Sequence, residues 1–519
     1  MGLNRYLVFN AFICGAVIMV VELLGSRIIG PPFGVSLFVW TSLITVTLVS
    51  LALGYWLGGR LADRKNSHSS LFGVILIAGL WVALIPLVKG FVIEQTLVLG
   101  LRAGSLACSA ALFGPPLFLL GMVSPYTVKL YMSEDSREVG RTVGWLYAVS
   151  TGGSFLGTVL TGFILIPMLG VNNITYLSAL TLIAISAGYW VLFRKKALAA
   201  ALAIVPIALL FTPQDLPSIT RPDGTKVTVL VNDDSAYGQI KVVDYEYDGA
   251  RLREFLLENM IQGAVDLTSG VPISRYTYYV EQLSYAYSPE AKEALVIGLG
   301  SGIIPERFSR YGIRTDVVEI NPGVVEAAKT YFSFDPAKHP TFVEDGRNFL
   351  KSGAGPYDII FLDAFSGDTP PSHLMSVEAF SLARGKLSPG GTLIINFVSG
   401  NQIEDQKVPS SLFGTLKKVF QSVDVYAGPD FFAQDPRVVN MVFVARDGVR
   451  PIETGFVPAD APVEFIDDLK GLYLRKVSFK PGPFVFTDDY NPIDFYDSAA
   501  RERFRAHIIS NTDREIITE

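Results

Sequence analysis

Cysteine is almost absent from this chain of 519 residues: there are two, Cys14 and Cys108, each inside an apolar run. That excludes a disulfide framework and a cysteine-based metal site. Histidine is as scarce, with four residues scattered at positions 68, 339, 373 and 507, so a histidine-rich metal cluster is not expected and no metal is assigned. A basic surplus is missing too. Lys and Arg number 43 against 49 Asp and Glu, and beyond residue 213 the balance is 30 basic to 43 acidic, which argues against nucleic acid as a partner. The first apolar run, Tyr6 to Ile29, lacks the small-residue cleavage pattern of a secretory signal, so it is expected to stay as a membrane span.

What the chain does have is apolar length. Half of its residues are hydrophobic and the mean hydropathy is +0.37, too high for a wholly soluble protein. Spans are predicted over about 6–29, 36–58, 71–93, 103–124, 144–168 and 173–193. A seventh apolar stretch, 197–211, would rise only roughly 22 Å as a helix against a roughly 30 Å hydrocarbon core, so whether it crosses is open. With a cytoplasmic N-terminus, one side receives Arg5, Arg60, Arg64, Lys65, Lys129, Arg137, Arg141, Arg194, Lys195 and Lys196, and the other Arg27, Lys89 and Arg102. This asymmetry predicts an integral membrane protein with its N-terminus inside. A seventh segment that does not cross keeps the soluble part cytoplasmic, and one that crosses places it outside. Glu22, well inside the first run, is costly in lipid and has either a functional role or a packing partner. Gly144, Gly152, Gly153, Ser154, Gly157 and Gly162 predict close helix packing. Gly58-Gly-Arg-Leu-Ala-Asp-Arg64 looks like the short basic turn between two helices of major-facilitator transporters.

The remaining chain divides by pattern into a Pro-rich linker (214–224), a small β-unit (225–289), an α/β unit (290–500) and a charged tail (501–519). Alternation over 227–232, 237–244 and 252–258, with Asp248-Gly249 as a turn, predicts antiparallel strands. Ala294-Leu-Val-Ile-Gly-Leu-Gly-Ser-Gly-Ile-Ile-Pro305 then reads as a buried strand entering a glycine turn and a helix. Gly298, Gly300 and Gly302 are expected to let the backbone approach a ligand. The next strand, 315–320, carries Glu319, placed to accept both hydroxyls of a ribose. Two more strands end at Asp345 and Asp363. Helices over 377–386 and 412–420, a strand over 391–398 and a closing antiparallel pair near 423–426 and 441–445 complete a class I methyltransferase-type, Rossmann-like sheet. The glycines do not follow G-x-G-x-x-G, so a sulfonium nucleoside fits the turn better than a dinucleotide.

The order of these parts resembles the spermidine synthase (aminopropyltransferase) family, in its membrane-fused form, over about residues 225–450. The resemblance rests on Ser235-Ala-Tyr-Gly-Gln-Ile-Lys-Val242, Leu257-Glu-Asn-Met-Ile-Gln262, Gly298–Gly302, Glu319-Ile-Asn-Pro322, Glu344-Asp-Gly346, Tyr357–Asp363 and Thr487-Asp-Asp-Tyr-Asn-Pro492. It implies polyamine synthesis with decarboxylated S-adenosylmethionine, or S-adenosylmethionine itself, as co-substrate. Gly298, Gly300, Ser301, Gly302, Glu319, Ile320, Asp345 and Gly346 would bind it, with Glu319 on the ribose and Asp345 on the adenine amino group, and Asp363 would be the catalytic carboxylate. Tyr237, Gln262, Tyr278, Asp368, Asp488 and Asp489 are the candidate acceptor-binding residues. Three motifs depart from the family on this side: Asp-x-x-Asp becomes Asp363-Ala-Phe-Ser366, Tyr-His-Glu becomes Tyr278-Tyr-Val280, and Leu-Asp-Gly becomes Leu257-Glu-Asn259. The acceptor, a small amine or a lipid, is therefore open. A methyl or other transfer to a membrane substrate and a non-catalytic nucleoside or polyamine sensor or transporter are the alternatives. A homodimer is possible.

Overall fold

The computed structural model describes residues 2–518 except 35–36, 133–138, 197–200, 202–203, 211–215, 236, 366, 369 and 435. It divides into two compact units. The first comprises Met1–Asp215, Asp233–Ala236 and Arg514–Glu519, and the second Leu216–Asn232 and Tyr237–Asp513.

Five helices of the first unit are long and apolar enough to cross a membrane: Leu3–Phe33, Leu37–Arg64, His68–Leu97, Val139–Met168 and Val171–Arg194. Over 103–124, where a span is expected, the chain forms a pair, Gly100–Leu112 and Gly114–Tyr131, bent by 51°, which makes a sixth span if the two are counted as one. Pro115 and Pro116 sit at the start of the second helix, where proline is tolerated, and cannot continue the hydrogen-bond ladder of the first. Gly58–Arg64 is the end of the helix Leu37–Arg64, not a turn. Of the seventh stretch, the helix Ile204–Leu210 is described, and its flanks lie outside the described residues, as do Arg137 and the start of the linker at 214–215. The small-residue expectation holds at Gly153, at Gly157 and at Ser154, whose hydroxyl donates to the Gly15 carbonyl at 3.0 Å. A Cβ on Gly153 would lie 1.9 Å from the Phe12 carbonyl oxygen, and one on Gly157 2.5 Å from that of Ala16, so only glycine lets these helices meet. At Gly144, Gly152 and Gly162 an added Cβ would meet nothing among the described residues.

The second unit holds two sheets. The first is antiparallel, in the order β1 (Ser218–Thr220), β2 (Lys226–Ser235), β3 (Gly238–Tyr247), β4 (Ala250–Leu257) and β5 (Met260–Asp266). Asp248 and Gly249 have φ of 46° and 81°, the left-handed turn the sequence predicts. A second such turn, Glu258-Asn259 with φ of 54° and 59°, joins β4 to β5 and adds a strand that the alternation pattern did not mark.

The second sheet comprises β6 (Glu293–Ile297), β7 (Arg314–Glu319), β8 (Thr341–Val343), β9 (Tyr357–Leu362), β10 (Leu387–Gly400), β11 (Ser422–Ala427) and β12 (Val438–Arg446). Its order is β11-β12-β10-β9-β6-β7-β8. β6 to β10 are parallel neighbours, and β12 runs antiparallel against β10 and β11. The helix expected over 412–420 lies earlier, at Lys407–Leu416. β6 is the pivot. The chain leaves it outward through β7 and β8, then returns to its other side as β9, and such a reversal opens a crevice at the carboxyl ends of the central strands. Ala294, Leu295, Val296 and Ile297 are buried, as expected for a strand covered on both faces.

Candidate active site

Strand register brings the predicted strand-end residues together. Ile297 pairs with Val318 on one side and Leu362 on the other, so Gly298, Glu319 and Asp363 lie at adjacent strand tips. Glu319 pairs with Val343, which sets Asp345 just beyond the neighbouring tip. Backbone bonds lock this arrangement: the Gly298 N–H donates to Val318 O at 2.8 Å and the Asp363 N–H to Ile297 O at 2.9 Å.

Glu319 is buried, and its two carboxylate oxygens accept from the Leu299 N–H at 2.9 Å and the Asn321 N–H at 2.8 Å. Burial raises its pKa, against the lowering effect of these backbone donors. Each oxygen keeps a second lone pair, so the group fits a diol. Asp345 caps the helix Gly346–Ser352, its Oδ1 accepting from the Asn348 N–H at 2.9 Å, while Oδ2 lies 3.0 Å from His373 Nε2. Asp345→Ala should therefore cost about 1 kcal/mol of stability in urea unfolding with no ligand present. Asp345→Asn, which can still cap, should cost little.

The fold itself requires these glycines. Gly298, Gly300 and Gly302 have φ of 96°, 54° and 79°. A Cβ on Gly298 would lie 2.3 Å from the Asp363 carbonyl oxygen, and one on Gly302 2.8 Å from Phe334 Cβ. Gly346 is pressed onto Ile297 in the same way. Ser301 is buried under β5, where a Cβ on Gly263 would come within 2.1 Å of its hydroxyl. Ile320 is partly exposed beside Glu319.

Asp363 is the centre of a polar set. Tyr276, at the start of the helix Arg275–Tyr287, donates its hydroxyl to Oδ2 at 3.3 Å, and Asn396 of β10 donates to Oδ1 at 2.8 Å. Asn440 of β12 in turn donates to Asn396 Oδ1 at 3.0 Å and fixes its amide. Burial pushes the Asp363 carboxyl up to about 6, against the lowering effect of these two hydrogen bonds. Burial, then the neighbouring carboxylate, holds the Tyr276 phenol protonated. Neither Tyr276 nor Asn396 was singled out in the sequence, although a lone amide inside the apolar run 391–398 was the available signal.

The acceptor-side candidates separate. Gln262 on β5 reaches the loop after Asp363, donating to Gly367 O at 3.0 Å. Tyr278 is corrected: it is fully buried, donates to Pro272 O at 2.8 Å and packs under the Arg307 guanidinium. Two residues past Tyr276 on a helix, it points about 200° away from the Asp363 side. Asp488 is corrected as well, since it pairs with Arg347 at 2.5 and 2.6 Å and with Ser376. Asp489 and Tyr237 are exposed. Asp368 is buried against Arg505, whose Nε donates to Oδ2 at 3.2 Å. Arg505 lies on the helix Ser498–Asn511 and is itself buried, although the charged tail it belongs to was read as solvated.

Comparison with known proteins bears on this unit. The spermine/spermidine synthase domain family matches residues 274–429. The chain is 35% identical over 137 residues to the polyamine aminopropyltransferase of Vibrio vulnificus, covering 25% of this chain and 46% of that protein. It is 25% identical over 416 residues to the N-terminal histidine N-methyltransferase of Emericella nidulans, covering 72% of each. Among solved structures, spermidine synthase from Thermotoga maritima aligns over 55% of this chain and 88% of its own, with 17% identity and a TM-score of 0.35. The chain spans under half the length of the first two curated relatives it matches. The match over residues 274–429 shows a spermine/spermidine synthase domain in the C-terminal part of this chain.

Proposed function

We propose that the C-terminal unit is an aminopropyltransferase that uses decarboxylated S-adenosylmethionine and an amine, and that the apolar helices hold it in a membrane. The observation that carries the transfer reading is Asp363: a carboxylate at the tip of β9, beside the glycine turn, buried enough to be pushed up to about 6 and aimed by Tyr276 and Asn396. The amine nitrogen attacks the methylene next to the sulfonium. The carbon–sulfur bond breaks with its electron pair going to sulfur, which leaves as the neutral thioether of methylthioadenosine, and Asp363 takes the proton the amine must lose. Proximity of the two substrates supplies much of the remaining acceleration. Glu319 and Asp345 would hold the nucleoside.

Incubation of the full chain with decarboxylated S-adenosylmethionine and a panel of amines should release methylthioadenosine, and its absence with every amine removes this reading. The single-turnover rate should rise with pH through about 6, because a protonated Asp363 cannot accept the proton. The coarser statement, a spermidine synthase-type transferase domain, does not depend on the acceptor. Methyl transfer is the second reading, favoured by the length of the match to the histidine N-methyltransferase. In that case S-adenosylhomocysteine, not methylthioadenosine, accumulates.

A further inference from the structure

β12 runs antiparallel beside β10, so residues opposite one another in the register share a sheet face. Asn396 stands opposite Val442 and Asn440 opposite Val398, which makes the two amides diagonal neighbours on one face. Ile394, Val442 and Val444 of that face belong to a core shared with Tyr278 and Tyr279 of the helix Arg275–Tyr287. An amide in such a face is costly unless both of its ends are bonded. Asn396, only 3% exposed, has both: its Nδ2 donates to Asp363 Oδ1 at 2.8 Å, and its Oδ1 accepts from Asn440 Nδ2 at 3.0 Å. Asn440 lies outside residues 274–429, the part of the chain that the family match covers.

The two ends of an amide are not equivalent. Its hydrogens suit a carboxylate, and its oxygen suits a carboxylic acid, whose O–H it accepts. Alone beside Asp363, Asn396 could serve either form by turning over. With Asn440 donating to its oxygen, its hydrogens are left for Asp363, and the outer bond strengthens the inner one, because successive hydrogen bonds polarise one another. The chain of donors runs from Asn440 through Asn396 to the acid.

Tyr276, on the helix Arg275–Tyr287, is the titratable group that bonds Asp363, and its phenol stays protonated. Beyond β6 the Gly298 turn brings backbone against Asp363, and Glu319 at the tip of β7 has its oxygens on the Leu299 and Asn321 N–H groups. Among the described residues no charged side chain shifts the Asp363 carboxyl: burial raises it, and the bonds from Asn396 and Tyr276 lower it. Weakening the Asn396 bond therefore raises it further.

We infer, on the basis of the transfer reading above, that Asn440 is a positioning residue for the reaction: acting through Asn396, it keeps the Asp363 carboxylate charged and turned to receive the proton of the attacking amine.

The test reads the titration of Asp363 itself, from its carboxylic C=O stretch in infrared difference spectra of the full chain against Asp363→Asn. Asn396→Leu should raise the midpoint by about one pH unit, the worth of a charge-assisted hydrogen bond. Asn440→Leu, similar in shape but without a donor, should raise it by about half a unit. Added to Asn396→Leu, the same substitution should move the midpoint by less than about 0.2 units, because Asn440 acts only through Asn396. The acid limb of the single-turnover rate should follow these midpoints. If Asn440→Leu does not fold, Asn440→Ala carries the same expectations. A midpoint that the Asn440 substitution leaves unmoved, or moves equally with and without Asn396, overturns the inference. Methylthioadenosine release is scored separately. A chain that releases it with an unmoved midpoint sinks the inference alone. One that shows the coupled shift and releases none with any amine sinks the transfer reading and leaves Asn440 setting the charge of Asp363.

Discussion

Asp363→Asn should lower the rate of methylthioadenosine release about a thousandfold, the middle of the range for loss of a positioned general base. The substitution is nearly isosteric. Asn396 can still donate to the remaining oxygen, and the Tyr276 hydroxyl can turn to accept from the new amide, so the polar set stays satisfied. Stability should move in the opposite direction to activity. The folded protein holds the Asp363 proton more tightly than the unfolded chain does, since burial lifts its carboxyl from 3.8 to about 6. Stability contributed by this residue therefore falls as pH rises from about 4 to about 6, and above that the full cost of a buried carboxylate is present. A neutral amide removes that cost. The variant should melt higher than wild type at neutral pH, lose the acid limb of the rate profile and be nearly inactive. Loss of activity together with a lower melting point would mean that Asp363 is structural.

Gly298→Ala should be the most damaging single methyl in the unit. At φ 96° any side chain is strained, at a cost of about 1–3 kcal/mol. The new Cβ would also sit 2.3 Å from the Asp363 carbonyl oxygen and 2.7 Å from its carbonyl carbon. Neither is a flexible chain end, so β9 or the turn must move. A shift of about 1 Å at a reacting group costs on the order of a hundredfold in rate. Gly249→Ala is the control: its φ of 81° brings comparable strain, but nothing lies within 4 Å of the added carbon. Urea unfolding should show both variants destabilised, with Gly298→Ala the worse, and only Gly298→Ala should lose turnover. Equal kinetics in the two would mean that the turn does not hold Asp363 in register.

The parallel half of the second unit was legible in the sequence because each central strand is a short β-branched run ending in glycine or a carboxylate, a local signal. What was missed is non-local or depends on helical phase. Tyr276 and Tyr278 are equivalent in composition, and only the pitch of the helix that starts at Arg275 decides which one meets Asp363. Asn396 was visible as an odd amide in an apolar strand, but its partner is 33 positions away. The bend at Gly114–Pro116 was readable from the two prolines, yet hydropathy averaged across it as one span. Arg505 carries no signal at all in a stretch of alternating charge, since its burial follows from Asp368, 137 residues earlier.

The bond from Arg505 to the Glu258 carbonyl joins positions 247 apart. During synthesis the nucleoside half, from the glycine turn through β9, has emerged long before residue 505 is made. A ribosome-bound chain that stops short of it would have the glycine turn and Asp363 but not the bonds from Arg505 to Glu258 and Asp368, so the β4–β5 hairpin should be pinned to the loop after β9 only late, as translation passes that point, because contacts of long sequence separation form only after their loop can close.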